Sequence, residues 1–263
     1  LVVHAAEEQR QQLQQMAREL DVRIIGCNCI GLTNAQTRMD TFFQSRDRML
    51  RPHTGSNPGA QITPGMTPGM RPRMILIDVD GTLVDSVPDL GYCVDEMMQR
   101  LGRPPHGEAA VRNWVGNGVE RLVRRALIGE LDGEPDDADF SRAYPIFLDL
   151  YAENTSKRSV LYPGVREGLD WLRAAGYPLG CVTNKAAQFT EPLLKDLGVY
   201  DRFDIVISGD SLPKKKPDPL PLLHAADYFG VAPADSLMVG DSVSDVSAAR
   251  AAGFRIVCMS YGY

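Results

Sequence analysis

Two hydrophobic rhythms alternate along most of this chain. From residue 73 onward, short apolar runs of strand length are separated by stretches whose apolar positions recur at helical spacing. Met74-Ile-Leu-Ile is the first run, and others fall at 178–182, 204–207, 236–239 and 254–259. Helices are predicted between them at 164–175, 187–197, 218–229 and 243–252. Such alternation predicts an α/β fold, a parallel sheet with helices on both faces. Between 86 and 160 the pattern changes. Helical stretches at 88–101, 108–131 and 137–155 follow one another without a strand, so an inserted helical block is expected. Asp85 and Ser86 before Pro88 suit a helix start, and Pro163-Gly164 marks the return to the sheet. Trp114 to Gly118 is expected to join two helices of the block.

The first 72 residues read differently. Leu13, Met16 and Leu20 give an amphipathic helix over 6–20, and Val22-Arg-Ile-Ile-Gly reads as a strand. Residues 51–72 are dense in proline and glycine, with Thr-Pro-Gly-Met at 63–66 and again at 67–70. That density disfavours regular structure and predicts a linker. Glycine does not recur at every third position, so collagen is excluded. The expected organisation is an N-terminal fragment at 1–50, a linker at 51–72, a core from 73–85 and 161–263, and a helical cap at 86–160.

Composition narrows the classes. The 263 residues are 44% hydrophobic and 24% charged, with a net charge of −6, so nothing basic argues for nucleic acid. No apolar run approaches the ~18–20 residues of a membrane helix. The start is polar and lacks the basic and apolar regions of a signal peptide. Of the five cysteines, Cys181 and Cys258 lie in strand-like runs and read as buried thiols. Cys27-x-Cys29 has no second pair at zinc spacing. A cytoplasmic setting is expected.

The chemistry gathers at predicted strand ends, where ligands bind in open α/β sheets. Asp78 and Asp80 end the first strand and, two residues apart, point to the same side. Gly81 permits a sharp departure. Two desolvated carboxylates call for a cation, and Mg²⁺ prefers such hard oxygen ligands. An Asx-turn is the bland reading of Asp-x-Asp alone. Thr183 and Asn184 end the second strand and offer hydrogen bonds to phosphate oxygens, or a helix cap. In Lys214-Lys-Lys-Pro, Lys216 is the candidate to point inward, while Lys214 and Lys215 read as solvated. Gly240-Asp241 and, one helical turn on, Asp245 add two more carboxylates.

This set resembles the haloacid dehalogenase superfamily of phosphotransferases. Asp78-x-Asp80-Gly81-Thr82 is similar to its first motif, Thr183-Asn184 to its second, Lys216-Pro217 to its third, and Gly240-Asp241 with Asp245 to its fourth. Within it, the chain resembles the bacterial phosphoglycolate phosphatases. The residues that carry this are Asp78-Val-Asp-Gly-Thr-Leu-Val-Asp-Ser-Val-Pro-Asp, Trp114-Val-Gly-Asn-Gly, Arg124-Arg-Ala-Leu, Tyr162-Pro-Gly-Val and Ser260-Tyr-Gly-Tyr. Those proteins continue past the last motif, so an exposed sheet flank and reduced stability are expected here. Residues 23–34, with Thr41-Phe-Phe, resemble part of the CoA-binding region of NDP-forming acyl-CoA synthetases, which implies an inactive remnant over about 1–45.

The resemblance implies a Mg²⁺-dependent phosphomonoesterase acting on a small phosphate ester, 2-phosphoglycolate above others. Asp78 would be the nucleophile that forms an aspartyl-phosphate, and Asp80 the general acid and base. Gly81, Thr82, Thr183, Asn184 and Lys216 would hold phosphate. The metal would lie with Asp78, the Asp80 carbonyl and Asp241, with Asp245 in an outer position. Specificity is expected from the cap. Gly116, Asn117 and Gly118 would present backbone donors to the substrate carboxylate, aided by an arginine such as Arg121, Arg124 or Arg125. The rivals are another small phosphate (N-acetylmuramate 6-phosphate, or pyrophosphate), a phosphomutase, and a non-catalytic fusion product. The oligomeric state is not legible.

Overall fold

The computed structural model describes residues 23–25, 71–259 and 261–263. The helix expected at 6–20, Cys27 and Cys29, and the linker up to residue 70 lie outside the described residues. So does the acyl-CoA synthetase-like segment beyond 23–25.

In chain order the elements are β1 (Arg23–Ile25), β2 (Met74–Ile77), β3 (Val84–Asp85), α1 (Val87–Arg100), α2 (Glu108–Arg112), α3 (Val119–Ile128), α4 (Asp137–Asn154) and β4 (Val160–Leu161). There follow α5 (Val165–Ala174), β5 (Leu179–Val182), α6 (Ala187–Asp196), β6 (Ile205–Ile207), α7 (Leu220–Phe229), β7 (Ser236–Gly240), α8 (Val243–Ala252) and β8 (Arg255–Met259). Among the described residues, six strands pair in parallel in the order β1-β8-β7-β2-β5-β6. From β2 the chain winds first to one side, through β5 and β6, and then to the other, through β7 and β8. The strand order thus reverses at β2, the position where open α/β sheets bind ligands.

The period-2 pattern of β2 explains the two core faces. Ile75 and Ile77 pack with Val165, Leu169, Leu193 and Leu194 of α5 and α6. Met74 and Leu76 face the other way, onto Leu222 and Ala225 of α7 and Ala248 and Ala249 of α8. All four side chains of β2 are fully buried, which stabilises the fold by about 1.5–3 kcal/mol each. Gly180 of β5 is fixed by packing, because a Cβ there would lie 2.6 Å from Leu76 Cδ2. Cys93, Cys181 and Cys258 are buried free thiols, as expected for the two in strands.

Helices α1 to α4 enclose a hydrophobic cluster of their own, built on Met97, Trp114, Leu122, Phe147 and Tyr151, into which the core residue Phe189 inserts. The helical stretch at 108–131 is two helices parted at the Trp114 to Gly118 junction, where Gly116 and Gly118 take φ of 119° and 88°. Two chain crossings join this block to the core. They pair as short antiparallel strands, Val84 with Leu161 and Asp85 with Val160, too brief to show as a sequence pattern. The fully buried Asp89 staples the second crossing, accepting from the backbone amides of Arg158 and Ser159 at 2.8 and 2.7 Å.

Strand β1, expected as a strand, takes a partner that no local pattern specified. Arg23, Ile24 and Ile25 pair with Val257, Cys258 and Met259, so a piece of the N-terminal segment extends the core sheet beyond β8. The flank expected to be bare therefore carries a strand along part of its length.

Candidate active site

The cleft forms where β2, β5 and β7 end, beneath the turn that joins α2 to α3. Asp78 follows β2 at once, and its Oδ1 accepts from the Val79 amide at 2.8 Å. Lys216 reaches it from the loop after β6, with its ammonium 3.0 Å from Asp78 Oδ1. The same ammonium donates to Asp245 Oδ1 at 2.6 Å and to the Val182 carbonyl at 2.7 Å. Those three partners account for all three ammonium protons. Burial pulls the Lys216 ammonium down, but Asp245 and Asp78 outweigh it, and its pKa is raised overall.

Asp241 ends β7 and is clasped on both oxygens. Thr82 Oγ1 donates to Oδ1 at 2.7 Å, and the Tyr263 amide donates to Oδ2 at 3.0 Å. Asp245 caps α8 in a reciprocal pair with Ser242, whose amide and hydroxyl donate to its Oδ2 at 3.0 and 2.6 Å. Its other oxygen serves Lys216, so Asp245 is the least available of the three carboxylates.

Asp78, Asp241 and Asp245 each bring a carboxylate oxygen within 4.8 Å of the others. Three buried carboxylates face one buried ammonium, leaving two negative charges in excess. Burial, then Asp245 and Asp80, push the Asp78 carboxyl up to about 7, although Lys216 opposes the rise. Burial, then Asp245 and Asp78, raise Asp241 well above the ordinary range. An all-oxygen donor set that lacks two positive charges fits a divalent cation such as Mg²⁺.

Asp80 lies on the cap side of Asp78. Its carboxylate does not join the three-carboxylate cluster but pairs with Lys185, at 3.0 and 3.1 Å from Oδ1 and Oδ2. Sequence reasoning gave Lys185 no role. A lysine after a strand end reads as solvated, and only the fold shows this one buried at 3% exposure. Tyr151, whose hydroxyl accepts from Lys185 at 2.5 Å, was equally hidden, as one apolar position of a cap helix.

The other candidate residues are only partly brought together. Thr183 and Asn184 line the cleft beside Asp78 and Asp80. The Asn184 amide group is already committed, donating to the Lys216 carbonyl at 2.9 Å and the Gly116 carbonyl at 3.4 Å, which leaves Oδ1 without a protein partner. Thr82 is fully buried and serves Asp241. Gly81, at φ 82°, packs so closely on Asp241 that a Cβ would lie 2.1 Å from Oδ2. Gly116 and Gly118 line the cleft, whereas Asn117 faces solvent and offers its carbonyl to Lys215 at 3.2 Å.

The cap arginines correct an expectation. Arg121 turns away from the cleft and pairs with Glu134 at 2.7 Å and the Gly133 carbonyl at 3.0 Å. Arg124 bridges Glu120 and Glu134 and covers the Phe140 ring. Arg125 donates to the carbonyls of Trp114 and Leu131. All three brace the loop at 129–135. The cap side of the cleft is instead apolar, formed by Leu90, Val115, Val119 and Leu122. No helix among the described residues is long and apolar enough to cross a membrane.

An α/β sheet with strand-end carboxylates, two buried lysines and a helical lid defines a class of phosphate-transferring hydrolase. The sequence profile of haloacid dehalogenase-like hydrolases matches residues 72–253, and the chain belongs to that family. A phosphoglycolate phosphatase of Nitrosococcus oceani is 68% identical over 193 residues, 73% of this chain and 86% of that protein. One from Thiobacillus denitrificans is 51% identical over 191 residues, 73% of this chain and 84% of that protein. A crystal structure described as a predicted phosphoglycolate phosphatase of Haemophilus somnus superposes with a TM-score of 0.69 at 37% identity. It covers 76% of this chain and 88% of that one.

Proposed function

We propose that this chain is a Mg²⁺-dependent phosphomonoesterase that hydrolyses 2-phosphoglycolate to glycolate and phosphate. The observation that carries the reading is the cluster of Asp78, Lys216, Asp245 and Asp241, with Asp80 lining the same cleft as Asp78 and Asp241. Relatives that share 68% and 51% of its residues over this region bear the name of that activity.

Asp78 attacks phosphorus. A bond forms from its carboxylate oxygen to phosphorus as the bond to the glycolate oxygen breaks. Asp80 supplies the proton that the leaving alkoxide takes up. As a carboxylate, Asp80 then takes a proton from water, whose oxygen attacks the aspartyl-phosphate. The phosphorus–Asp78 bond breaks and phosphate departs, with one water consumed. Lys216 fixes Asp78 and offsets charge beside the transferring group, and Thr183 offers it a hydrogen bond. Asp78, Asp241 and the Asp80 carbonyl are the residues to hold Mg²⁺, with Asp245 orienting Lys216 and Ser242. When bound, Mg²⁺ neutralises the excess carboxylate charge and lessens its repulsion of phosphate.

The helical block at 86–160 is the specificity cap. With its arginines committed elsewhere, recognition of a two-carbon carboxylate falls to the backbone at Gly116 to Val119, where α3 begins. Gly118 lacks a side-chain cap for that helix, which leaves its first amides open. A panel of small phosphate esters, assayed for phosphate release with Mg²⁺, tests the assignment. The highest kcat/KM is expected on 2-phosphoglycolate, and a sugar phosphate or pyrophosphate turned over faster would refute it.

A further inference from the structure

We propose that Lys185 is the positioning residue for the acid–base carboxylate of Asp80, and that Tyr151 makes this positioning depend on the closed cap. The inference rests on the acid–base role given to Asp80 above and deepens it.

A buried ammonium has three protons to place, and here all three are placed. Lys185 Nζ lies 3.0 Å from Asp80 Oδ1, 3.1 Å from Oδ2 and 2.5 Å from the Tyr151 hydroxyl. None is left for a substrate. Lys185 therefore acts on substrate through Asp80, and it differs in this from Lys216, which contacts Asp78.

The lysine is anchored at its root as well as its tip. Its amide donates to Thr183 Oγ1 at 3.3 Å, and its carbonyl accepts from Thr190 Oγ1 at 3.1 Å and from the Gly209 amide at 2.8 Å. An ammonium carried by so constrained a backbone aims a carboxylate far more narrowly than a solvated lysine could.

Tyr151 comes from the opposite body. It sits on α4 of the cap, fully buried, with its ring 4.7 Å from Phe189 of the core and 5.5 Å from Phe147 of the cap. The chain of contacts thus runs from cap hydroxyl to core ammonium to the acid–base carboxylate. Swinging the cap away removes one of the three acceptors and admits water to the other two. Asp80 is then held in its aimed position only while the cap is shut over a substrate, which restrains proton transfer in an open site.

The leaving group supplies the test. An alkoxide needs a proton to depart, whereas p-nitrophenolate does not. In the phosphoryl-transfer step that kcat/KM reads, only the alkyl ester therefore depends on an aimed Asp80, while the later attack of water needs it for both. The full chain with Mg²⁺ is assayed on 2-phosphoglycolate and on p-nitrophenyl phosphate as the parent, Lys185→Met, Tyr151→Phe, Asp80→Asn and the Lys185→Met/Asp80→Asn double variant. Lys185→Met is expected to lower kcat/KM on the alkyl ester by about 30-fold or more through kcat, with the aryl ester changed less than about 5-fold. Tyr151→Phe, which loses one oxygen from a packed ring, should show the same selectivity at smaller size. In the Asp80→Asn background Lys185→Met should cost nothing further.

Equal losses of kcat/KM on both esters would make Lys185 structural and overturn the proposal. A loss that persists in the Asp80→Asn background would place Lys185 on the substrate and overturn it equally. If Lys185→Met does not fold, Tyr151→Phe decides alone, and unchanged alkyl turnover in it sinks the cap link. The underlying reading fails separately, if Asp80→Asn itself turns over the alkyl ester at the parent rate.

Discussion

Asp241 is held so tightly that its neighbours leave no room for a methyl group. A Cβ on Gly81 would lie 2.1 Å from Asp241 Oδ2, and one on Gly262 would lie 2.2 Å from it. Gly81 is also at φ 82°, where a side chain is strained. Gly81→Ala must therefore displace Asp241, and kcat/KM should fall about 100-fold, the scale of a misplacement near 1 Å. Phosphate release and far-UV circular dichroism, measured together, would separate this from unfolding. The carboxylates also set a pH dependence. Asp78 rises from 3.8 to about 7 on folding, chiefly through burial. Between those values the folded state keeps a proton that the unfolded state has lost, so stability falls as pH rises through that window. Asp241 shifts in the same direction. Metal-free protein should melt at lower temperature at pH 7.5 than at pH 5, with Mg²⁺ raising the melting temperature most at the higher pH. An equal Mg²⁺ effect at both pH values would contradict this account of the cluster. At this scale the sequence singled out a carboxylate or lysine beside a motif glycine or proline, as at Asp80, Lys216 and Asp241, or at the end of an apolar run, as at Asp78. It was silent on Lys185, because burial of a lysine is decided by what the fold lays over it.

Among the elements, the α2–α3 turn carries most of the new information. Its glycines were read as substrate-facing, and they do line the cleft, but the arginines that follow were expected there and are not. The reason is helical phase together with a local competitor. Glu134 and the carbonyls of Leu131 and Gly133 lie on the outer side of α3 and take up the guanidinium groups. Periodicity could place Leu122 and Val123 inward but could not foresee where the loop at 129–135 would fold back. Arg121→Ala should consequently lower cap stability, by about 1 kcal/mol or less for a partly exposed pair. It should leave the ratio of kcat/KM for 2-phosphoglycolate to that for p-nitrophenyl phosphate unchanged. Gly118→Ala should behave differently. Gly118 is at φ 88°, and its Cβ would stand 3.3 Å from the Asn184 carbonyl and from Lys215 Nζ. That substitution pries the cap from the core and should raise KM on both esters. Steady-state kinetics on the two variants would distinguish the brace from the seam.

For the whole molecule, the alternation of strand and helix predicted the sheet, its two covered faces and the inserted helical block. The misjudged edges were those that depend on contacts distant in sequence. The two-residue strands β3 and β4 exist only because they meet each other. Strand β1 was recognised as a strand, but nothing local tied it to β8. Its pairing makes a prediction at this scale. Removing residues 1–70 should lower the melting temperature, since an edge strand of the core goes with them, while kcat and KM stay unchanged because, among the described residues, none that lines the cleft precedes Met74. Thermal unfolding and kinetics of the shortened chain would check both halves. The central claim is that Asp78 is the nucleophile of a phosphatase. It is tested most directly by Mg²⁺-dependent phosphate release from 2-phosphoglycolate by Asp78→Asn. The amide keeps the shape but loses the attacking charge, so release should drop below about a hundredth of the parent rate, within the range that nucleophile loss costs, while circular dichroism is unchanged. A folded Asp78→Asn protein that retains more than that would contradict the account.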